Sequence, residues 1–368
     1  MGKRVILLFS DLGLGGVQTK LISLANGLVR RHVPCVVLLQ TKKGFSRAGE
    51  LDRRVQVICP VDIEIFGKHP FWGWRFRAFI VMVLIFLQPR SIFVSLAPIS
   101  TSLLKIFNYI APWMLKRVIV NEDTYPSLYY GDKHAGRASI HDVKTWYSKA
   151  KAVIAVSKST YDDLSKNLNI SSPPLVYISN WVTTRHKFPN RTAKRTIDLV
   201  YAGRLARQKQ PGVLAGVLHG VLQKHPRASI RIYADGPMKG EFIRALVRLG
   251  IAQKIEWYDP VVNIDHVLKR AKCLLFTSQF EGMPFVGLEA MASGAVVAGF
   301  DVPGLRDIVE DNKTGILAVS QEVLSSKVVT LLHDSRTRNR LARNAARRVR
   351  DEFSEKNRNR LIAILLEQ

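Results

Sequence analysis

Two glutamates, Glu281 and Glu289, lie eight residues apart in a segment where an apolar stretch is followed by a turn and a helix start. Residues 273–277 predict a buried strand, and residues 288–292 predict a helix that ends at Gly294. Such a turn brings backbone N–H groups and the positive end of a helix dipole to one point, where an anion can bind. Carboxylates accept hydrogen bonds from sugar hydroxyls and repel phosphate, so the segment predicts a sugar–phosphate ligand. The alternative interpretation is an ordinary loop between a strand and a helix, with both glutamates exposed to solvent and without a ligand.

A second cluster supports the first. Residues 198–202 predict a strand, and Arg204 and Lys209 follow it in a loop. An arginine fork and a lysine ammonium can converge there on a diphosphate, although a solvated basic surface is the alternative. Residues 230–234 predict another strand, which leads into Gly236. In open α/β sheets, ligands bind outside the carboxyl ends of the strands, where these loops gather.

Together these motifs resemble those of the family-4 retaining glycosyltransferases, which have the GT-B fold: α/β, with two Rossmann-like domains whose parallel sheets face an interdomain cleft. The resemblance rests on Gly203-Arg204-Leu205 with Lys209, on Asp235-Gly236-Pro237, on Glu281 to Glu289 with residues 290–294 behind them, on Gly304 and on Thr314-Gly315. It extends over nearly the whole chain, through Gly15-Gly16, residues 153–157 and Asn180.

The resemblance implies a role for each motif. The equivalents of Arg204 and Lys209 hold the donor diphosphate, that of Glu289 the ribose hydroxyls, and that of Glu281 the transferred sugar. The residues expected at the donor are Gly16, Arg204, Lys209, Gly236, Phe285, Val286, Gly287 and Glu289, the helix start contributing backbone N–H groups. Those expected to act in transfer are Glu281, Arg204, Lys209 and Asp123.

Two positions depart from the family pattern. Many relatives carry a histidine where residues 120–124 read VNEDT, so Asp123 or Glu122 is expected in its place on the acceptor side. Asp307 stands in the Gly304 loop, where relatives often have glutamate.

The loop of residues 13–16, GLGG, follows the first predicted strand. It fits the dinucleotide fingerprint poorly, because Gln18 occupies the position of the third glycine and no acidic residue ends the second strand, where Gln40 stands. We interpret it as a loop that lets the acceptor or the donor phosphate approach the backbone, with a plain tight turn as the alternative.

Length and composition predict two domains. A chain of 368 residues exceeds what one core usually holds, and 47% hydrophobic residues exclude a largely disordered chain. We expect an N-terminal acceptor domain in residues 1–186, a nucleotide-sugar domain in 187–345, and helices that cross back in 346–368. Three dispersed cysteines indicate reduced thiols, and the cysteines and histidines lack the spacing of a metal-binding motif. The apolar run at residues 5–9 is too short for the hydrophobic region of a secretory signal. These features predict a cytoplasmic protein.

The net charge of +26 requires an anionic partner or surface. The first 120 residues carry 17 basic and 5 acidic side chains, and residues 71–77 read FWGWRFR. Aromatic and basic side chains together are typical of a membrane interface. Residues 78–87 are apolar, but ten helical residues span only about 15 Å, so they favour a core helix over a membrane span. Residues 336–360 predict one amphipathic helix with a basic face. That face is either an ordinary solvated surface or a binding site for anionic lipid or nucleic acid.

The sequence therefore predicts a glycosyltransferase that transfers a hexose-type sugar from a nucleotide diphosphate donor, most simply a UDP-sugar, without a metal, and the family resemblance implies that it is retaining. The expected acceptor is a lipid-linked glycan of cell-surface polysaccharide or lipopolysaccharide biosynthesis. The expected location is the inner face of the plasma membrane, bound peripherally through the N-terminal domain. A nucleotide-sugar epimerase of the same fold is an alternative. A basic nucleic-acid-binding protein is a weaker one, because it leaves Glu281 and Glu289 without a role, and no nucleic acid is expected as a partner.

Overall fold

The computed structural model describes residues 3–41, 45–59, 91–97, 101–131, 138–183, 194–261 and 263–367. The chain forms two compact units, Met1–Asn180 with Lys356–Gln368, and Trp181–Glu355. Each unit contains one sheet in which all the described strand pairs are parallel. The two-domain α/β architecture predicted from the sequence is thus confirmed.

The sheet of the first unit has the order β3-β2-β1-β4-β5-β6-β7. Its strands are β1 (Arg4–Phe9), β2 (Cys35–Leu39), β3 (Gln56–Ile58), β4 (Ser91–Ala97), β5 (Val118–Glu122), β6 (Ala152–Ala155) and β7 (Leu175–Tyr177). The central strands are mostly apolar and almost completely buried, as expected of parallel strands covered on both faces. From the central pair β1 and β4, successive strands are added towards opposite edges of the sheet. Open α/β sheets bind ligands at such a switch point, outside the carboxyl ends of the strands.

The sheet of the second unit has the order β10-β9-β8-β11-β12-β13. Its strands are β8 (Ile197–Ala202), β9 (Ile230–Tyr233), β10 (Ile255–Tyr258), β11 (Ala271–Phe276), β12 (Val296–Phe300) and β13 (Ile316–Ala318). The central pair, β8 and β11, lies at the corresponding switch point, so the loops that follow these two strands lie side by side.

Helices connect the strands. Those of the first unit are α1 (Gly16–Arg30), α2 (Thr101–Ile110), α3 (Pro126–Gly131), α4 (Ile140–Lys149) and α5 (Lys158–Asp162). Those of the second are α6 (Pro211–Lys224), α7 (Lys239–Arg248), α8 (Asp265–Leu268), α9 (Phe285–Ala292), α10 (Leu305–Ile308), α11 (Gln321–His333) and α12 (Ser335–Glu352), and α13 (Glu355–Glu367) follows them. Short 3₁₀ turns occur at Phe45–Glu50, Pro112–Arg117, Arg207–Lys209 and Ala252–Lys254.

Each unit has its own apolar core. In the first, Phe93, Trp146 and Val153 belong to one buried cluster. In the second, Leu199 and Leu275 of the two central strands pack with the buried faces of the covering helices. Each core holds the carboxyl ends of its own strands in fixed positions, and the candidate functional residues of each unit lie in or near the loops at those ends.

The predicted C-terminal helix was wrong in its extent. Residues 336–360 do not form one helix, because α12 ends at Glu352 and α13 begins at Glu355. The backbone carbonyl of Phe353 accepts a hydrogen bond from the Val182 N–H at 2.8 Å, and this contact fixes the break. Residues 346–355 consequently group with the second unit, where Val349 is buried, and the return to the first unit starts at residue 356 instead of 346.

Other predictions differ in smaller ways. The first unit ends at residue 180, six residues before the expected boundary at 186. The sequence pattern also failed to predict strands β10, β12 and β13. Residues 71–77 and 78–87 lie outside the described residues, as do residues 184–193 of the polar segment 180–196 that is expected to link the two domains. Among the residues that the structure describes, no helix is long and apolar enough to cross a bilayer.

Candidate functional site

The loop after β8 is held by Leu205, which is fully buried. Its backbone N–H donates to the Asp235 carbonyl at 2.8 Å, and its carbonyl accepts from the Met238 N–H at 3.0 Å. These bonds tie the loop after β8 to the loop after β9. Arg204, one residue earlier, is exposed, and its side chain forms no hydrogen bond or ion pair within the described part of the chain. Leu205 therefore fixes the backbone beside Arg204, whose guanidinium is exposed.

Gly236 allows these two loops to approach closely. A Cβ atom at this position would lie 2.5 Å from the Leu205 carbonyl oxygen, and the residue has a φ of +150°. A side chain would therefore push the β8 loop, and Arg204 with it, away from its place. This contact gives Gly236 a packing role, and its expected role at the donor remains a prediction.

Three hydrogen bonds join the β8 loop to the loop after β11. The Gln279 N–H donates to the Gln208 carbonyl at 2.9 Å, and the Gln208 side-chain amide donates to the Phe280 carbonyl at 2.7 Å. The Thr277 hydroxyl donates to the Lys209 carbonyl at 2.8 Å. This seam fixes the backbone of Lys209 against the loop that carries Glu281.

At the centre of the seam, Lys209 Nζ lies 2.5 Å from Glu281 Oε1. The Ser278 hydroxyl donates to the same oxygen at 2.5 Å. Glu281 is buried, whereas the Lys209 side chain is 21% exposed and so reaches both the carboxylate and solvent. The Tyr201 hydroxyl is buried without a hydrogen-bond partner in the described structure, and burial together with the nearby Glu281 carboxylate raises the pKa of this phenol.

Gly304 supports the Glu281 loop from the other side. The Glu281 N–H donates to the Pro303 carbonyl at 2.9 Å, and a Cβ atom at Gly304 would lie 2.2 Å from the Glu281 carbonyl oxygen. The φ of Gly304 is +78°, a left-handed value that favours glycine. Asp307 accepts a hydrogen bond from the Gly304 N–H at 3.0 Å, so this aspartate caps α10 where relatives often carry glutamate.

The helix after the glutamate loop, α9, begins at Phe285, three residues earlier than the sequence predicted. Gly287 lies where a Cβ atom would come within 2.7 Å of the Ile308 side chain, so it permits close packing of α9 and α10. Glu289 is one turn into the helix and partly exposed. The helix start, with Val286, thus lies directly after the Glu281 loop.

The first unit contributes the remaining predicted residues. Helix α1 begins at Gly16, and Lys20 in its second turn forms an ion pair with Asp123 at 2.8 Å, with both side chains 1% exposed. Asn121 also donates to Asp123, at 2.7 Å. Burial raises the pKa of Asp123 and lowers that of Lys20, while the attraction between the two opposes both shifts.

Glu122, the alternative to Asp123, is fully buried. Its carboxylate accepts hydrogen bonds from the Thr124 N–H at 2.9 Å and hydroxyl at 2.6 Å, and from the Tyr147 hydroxyl at 2.5 Å. Burial raises the pKa of Glu122 and that of Tyr147. Both carboxylates that could replace the family histidine therefore have protein partners, and a role for either at the acceptor remains a prediction.

The second unit thus brings Arg204, Lys209, Gly236, Glu281 and the start of α9 to neighbouring strand ends. In the first unit, Gly16 begins α1 and Asp123 directly follows β5. Sequence reasoning missed Ser278, although it stands three residues before Glu281 in the same loop. It also missed Lys20, whose only signal was a charged residue beside the apolar positions of α1.

Two family descriptions match the sequence. "Glycosyltransferase Family 4" matches residues 14–186, and "Glycosyl transferases group 1" matches residues 182–348, so that the two cover both units almost completely. The chain belongs to the family-4 glycosyltransferases of the GT-B fold.

Relatives of known activity are distant in sequence. An α-1,4-N-acetyl-D-galactosaminyltransferase of Campylobacter jejuni, whose name specifies a glycan on PP-undecaprenol, is 22% identical over 95% of this chain and 94% of its own length. A poly(ribitol-phosphate) α-N-acetylglucosaminyltransferase of Staphylococcus aureus is 24% identical over 51% of this chain, which spans 38% of that protein. A glycogen synthase of Mycobacterium tuberculosis is 24% identical, and the chain spans 56% of its length.

Solved structures share the fold over the whole chain. A mutant of TarM from Staphylococcus aureus, crystallised with UDP and saccharides, superposes with a TM-score of 0.80 at 15% identity over 100% of both chains. The Anabaena protein Alr3699/HepE, crystallised with UDP and glucose, gives 0.79 at 17% identity, also over 100% of both chains. At these identities the likeness establishes the GT-B fold.

Proposed function

We propose that this glycosyltransferase transfers a sugar from a UDP-sugar to a lipid-linked glycan, with retention of anomeric configuration, in the biosynthesis of a cell-surface polysaccharide or lipopolysaccharide. The observation that carries the proposal is the contact between Lys209 and Glu281 at the carboxyl ends of β8 and β11. It joins a cation suited to a diphosphate with a carboxylate suited to sugar hydroxyls.

The chemistry follows from the leaving group. When the bond between the sugar and the diphosphate breaks, negative charge develops on the β-phosphate, and preorganised cations lower the free energy of that transition state. The Arg204 side chain is exposed and has no protein partner among the described residues, and Lys209 reaches solvent. These two cations and the N-terminus of α9 would stabilise the diphosphate without a metal ion.

The ligands of relatives support the donor and acceptor classes that we propose. UDP is bound in the solved structures of TarM and Alr3699/HepE. The relative from Campylobacter jejuni takes an acceptor carried on PP-undecaprenol. We therefore propose a UDP-linked donor and a polyprenyl diphosphate-linked acceptor, reached at the inner face of the plasma membrane. Retention is proposed from family membership.

A donor screen followed by a transfer assay tests this function. A bound donor raises the unfolding temperature by mass action, so UDP-, GDP- and ADP-sugars are compared by thermal shift. The donor that stabilises is then supplied with a water-soluble, short-chain prenyl diphosphate glycan, and UDP release is measured with and without this acceptor. NMR of the product gives the anomeric configuration.

Release of UDP that depends on the acceptor, with the anomeric configuration kept, is the expected result. Conversion of the donor to its epimer without any acceptor would favour the epimerase alternative. An inverted product would contradict retention, and stabilisation by GDP- or ADP-sugars alone would contradict a UDP-linked donor.

A further inference from the structure

Two large aromatic side chains of the first unit are turned to solvent. Tyr109, at the end of α2, is 71% exposed, and Trp113, in the adjoining turn Pro112–Arg117, is 61% exposed. Phe107 and Met114, their close neighbours in the chain, are almost completely buried. The exposure of the two rings is therefore a specific feature of a segment that is otherwise packed into the core.

The backbone around these rings is hydrogen-bonded. The Ala111 N–H donates to the Phe107 carbonyl at 2.9 Å, and the Met114 N–H donates to the Ala111 carbonyl at 2.8 Å. These bonds fix the backbone of the turn between Tyr109 and Trp113, so the two side chains, four residues apart in the sequence, project from an ordered backbone. Exposed apolar patches that are rimmed by polar residues mark protein or membrane interaction sites, whereas single exposed side chains do not.

Lysines surround the aromatic pair. Lys105, one helical turn before Tyr109, and Lys116, after Trp113, are both exposed. Lys149 of α4 is also exposed, and its ammonium donates to the Asn108 side chain at 2.9 Å, which places a third lysine beside the pair. No aspartate or glutamate occurs in the sequence between Glu64 and Glu122, so neither α2 nor the turn after it carries a counter-charge.

We infer that Lys105, Tyr109, Trp113 and Lys116, called here the aromatic–lysine patch, dock the first unit onto an anionic lipid surface. Tyrosine and tryptophan rings partition to the headgroup level of a bilayer, and lysines beside them attract anionic headgroups. The inference rests on the proposed function only in that a lipid-linked acceptor gives the enzyme a reason to be at a membrane. It concerns residues other than 71–77, for which docking was predicted from sequence.

Another basic surface lacks the aromatic component. Helix α12 exposes a row of arginines on one side, spaced by four and three residues: Arg336, Arg340, Arg343, Arg347 and Arg350. No exposed aromatic residue accompanies them on that helix. If positive charge alone governed membrane binding, the arginines of α12 would increase lipid affinity as much as the patch does. Substitutions on α12 are therefore a matched control for the aromatic rings.

Sedimentation with vesicles tests the inference. The probes are phosphatidylcholine vesicles with and without phosphatidylglycerol, at physiological salt. We compare the wild type with Tyr109→Ser/Trp113→Ser, with Lys105→Glu/Lys116→Glu, and with the control Arg343→Glu/Arg347→Glu. One lysine at an anionic surface changes affinity by about fivefold, so the lysine variant should lose about 20-fold or more, and the aromatic variant should also lose affinity. The control should bind within about threefold of wild type, because the aromatic rings anchor the first unit.

Several outcomes would overturn the inference. These are equal binding of the wild type to neutral and anionic vesicles, patch variants that bind like the wild type, and a control that loses as much as the patch variants. A patch-dependent retention on DNA at the same salt, without retention on vesicles, would assign the patch to a soluble polyanion instead.

Folding and catalysis are monitored separately. Thermal unfolding midpoints of the variants should match the wild type, because the four side chains are exposed. Transfer to the water-soluble acceptor should be unchanged in the patch variants, while transfer to an acceptor embedded in vesicles falls. If the wild type transfers no sugar to any acceptor, the proposed function fails while the vesicle result still decides the docking. If the variants bind vesicles normally, the docking fails while transfer to the soluble acceptor still decides the function.

Discussion

Lys209 and Glu281 are 72 residues apart in the chain, yet their side chains meet at 2.5 Å. The parallel pairing of β8 with β11 makes this possible, because the loops after neighbouring parallel strands emerge at the same edge of a sheet. The contact couples the proposed diphosphate site to the proposed sugar site. A donor diphosphate must compete with Glu281 for the Lys209 ammonium, and the prediction for Glu281→Gln follows from this competition.

Glu281→Gln should bind free UDP at least as tightly as the wild type, because Lys209 no longer has a carboxylate partner. Sugar transfer should fall, since the amide is a weaker acceptor for sugar hydroxyls than the carboxylate. Isothermal titration calorimetry with UDP and a steady-state transfer assay measure the two effects. Weaker UDP binding with unchanged transfer would contradict the proposed role of Glu281.

Glu289→Ala should have the opposite pattern. The proposed contact of Glu289 is with the ribose hydroxyls, so its removal should weaken UDP binding by about tenfold, the scale of a hydrogen bond to a charged group. The same calorimetric titration measures this loss. If Glu289→Ala binds UDP normally, the glutamate is a structural residue of α9.

Arg204→Ala and Lys209→Ala should each lower kcat by about 10²-fold or more, the scale observed when one preorganised charge-stabilising donor is removed. Arg207→Ala, in the same loop, is the matched control and should stay within a few-fold of wild type. Near-native turnover of Arg204→Ala would remove this residue from the diphosphate site.

The sequence predicted the strands β8, β9 and β11 to within two residues because each is mostly apolar and mostly buried. It also predicted the β8 and β11 loops, whose glycines and charged residues form recognisable motifs. It did not predict the buried pair of Lys20 and Asp123, because nothing local pairs a helix position with a strand end about a hundred residues away. The contact of Gly304 with the Glu281 carbonyl was also invisible, since it depends on how two loops pack.

Gly304→Ala should destabilise the second unit by about 2 kcal/mol or more, because φ is +78° and the new methyl group would collide with the Glu281 carbonyl oxygen. Transfer should fall even in correctly folded protein, since the collision displaces Glu281. Gly212→Ala is the control: it lies in α6 with no atom within 4 Å of the added Cβ and should be neutral or slightly stabilising. Urea unfolding of both variants measures the difference, and equal stability would show that the Gly304 loop relaxes freely.

Lys20 and Asp123 should behave as a coupled pair in a double-mutant cycle. Lys20→Met and Asp123→Asn each leave a buried group without its opposing charge, which typically costs about 3–5 kcal/mol. The double variant Lys20→Met/Asp123→Asn should recover much of that loss, since the amide oxygen introduced at position 123 can still accept the hydrogen bond from Asn121. Additive losses in urea unfolding would show that the two side chains do not depend on each other.

The pH dependence of the single variants should have opposite signs. Without Asp123, burial lowers the Lys20 pKa further below its usual 10.5, so the unfolded state binds more protons and the stability of Asp123→Asn rises as the pH rises towards that value. Without Lys20, burial raises the Asp123 pKa further above 3.8, so the folded state binds more protons and the stability of Lys20→Met falls as the pH rises above that value. Unfolding free energies of both variants, measured as a function of pH between about 4 and 10, test the sign of the pH dependence of stability in each. Parallel slopes in the two variants would mean that burial does not control the ionisation of this pair.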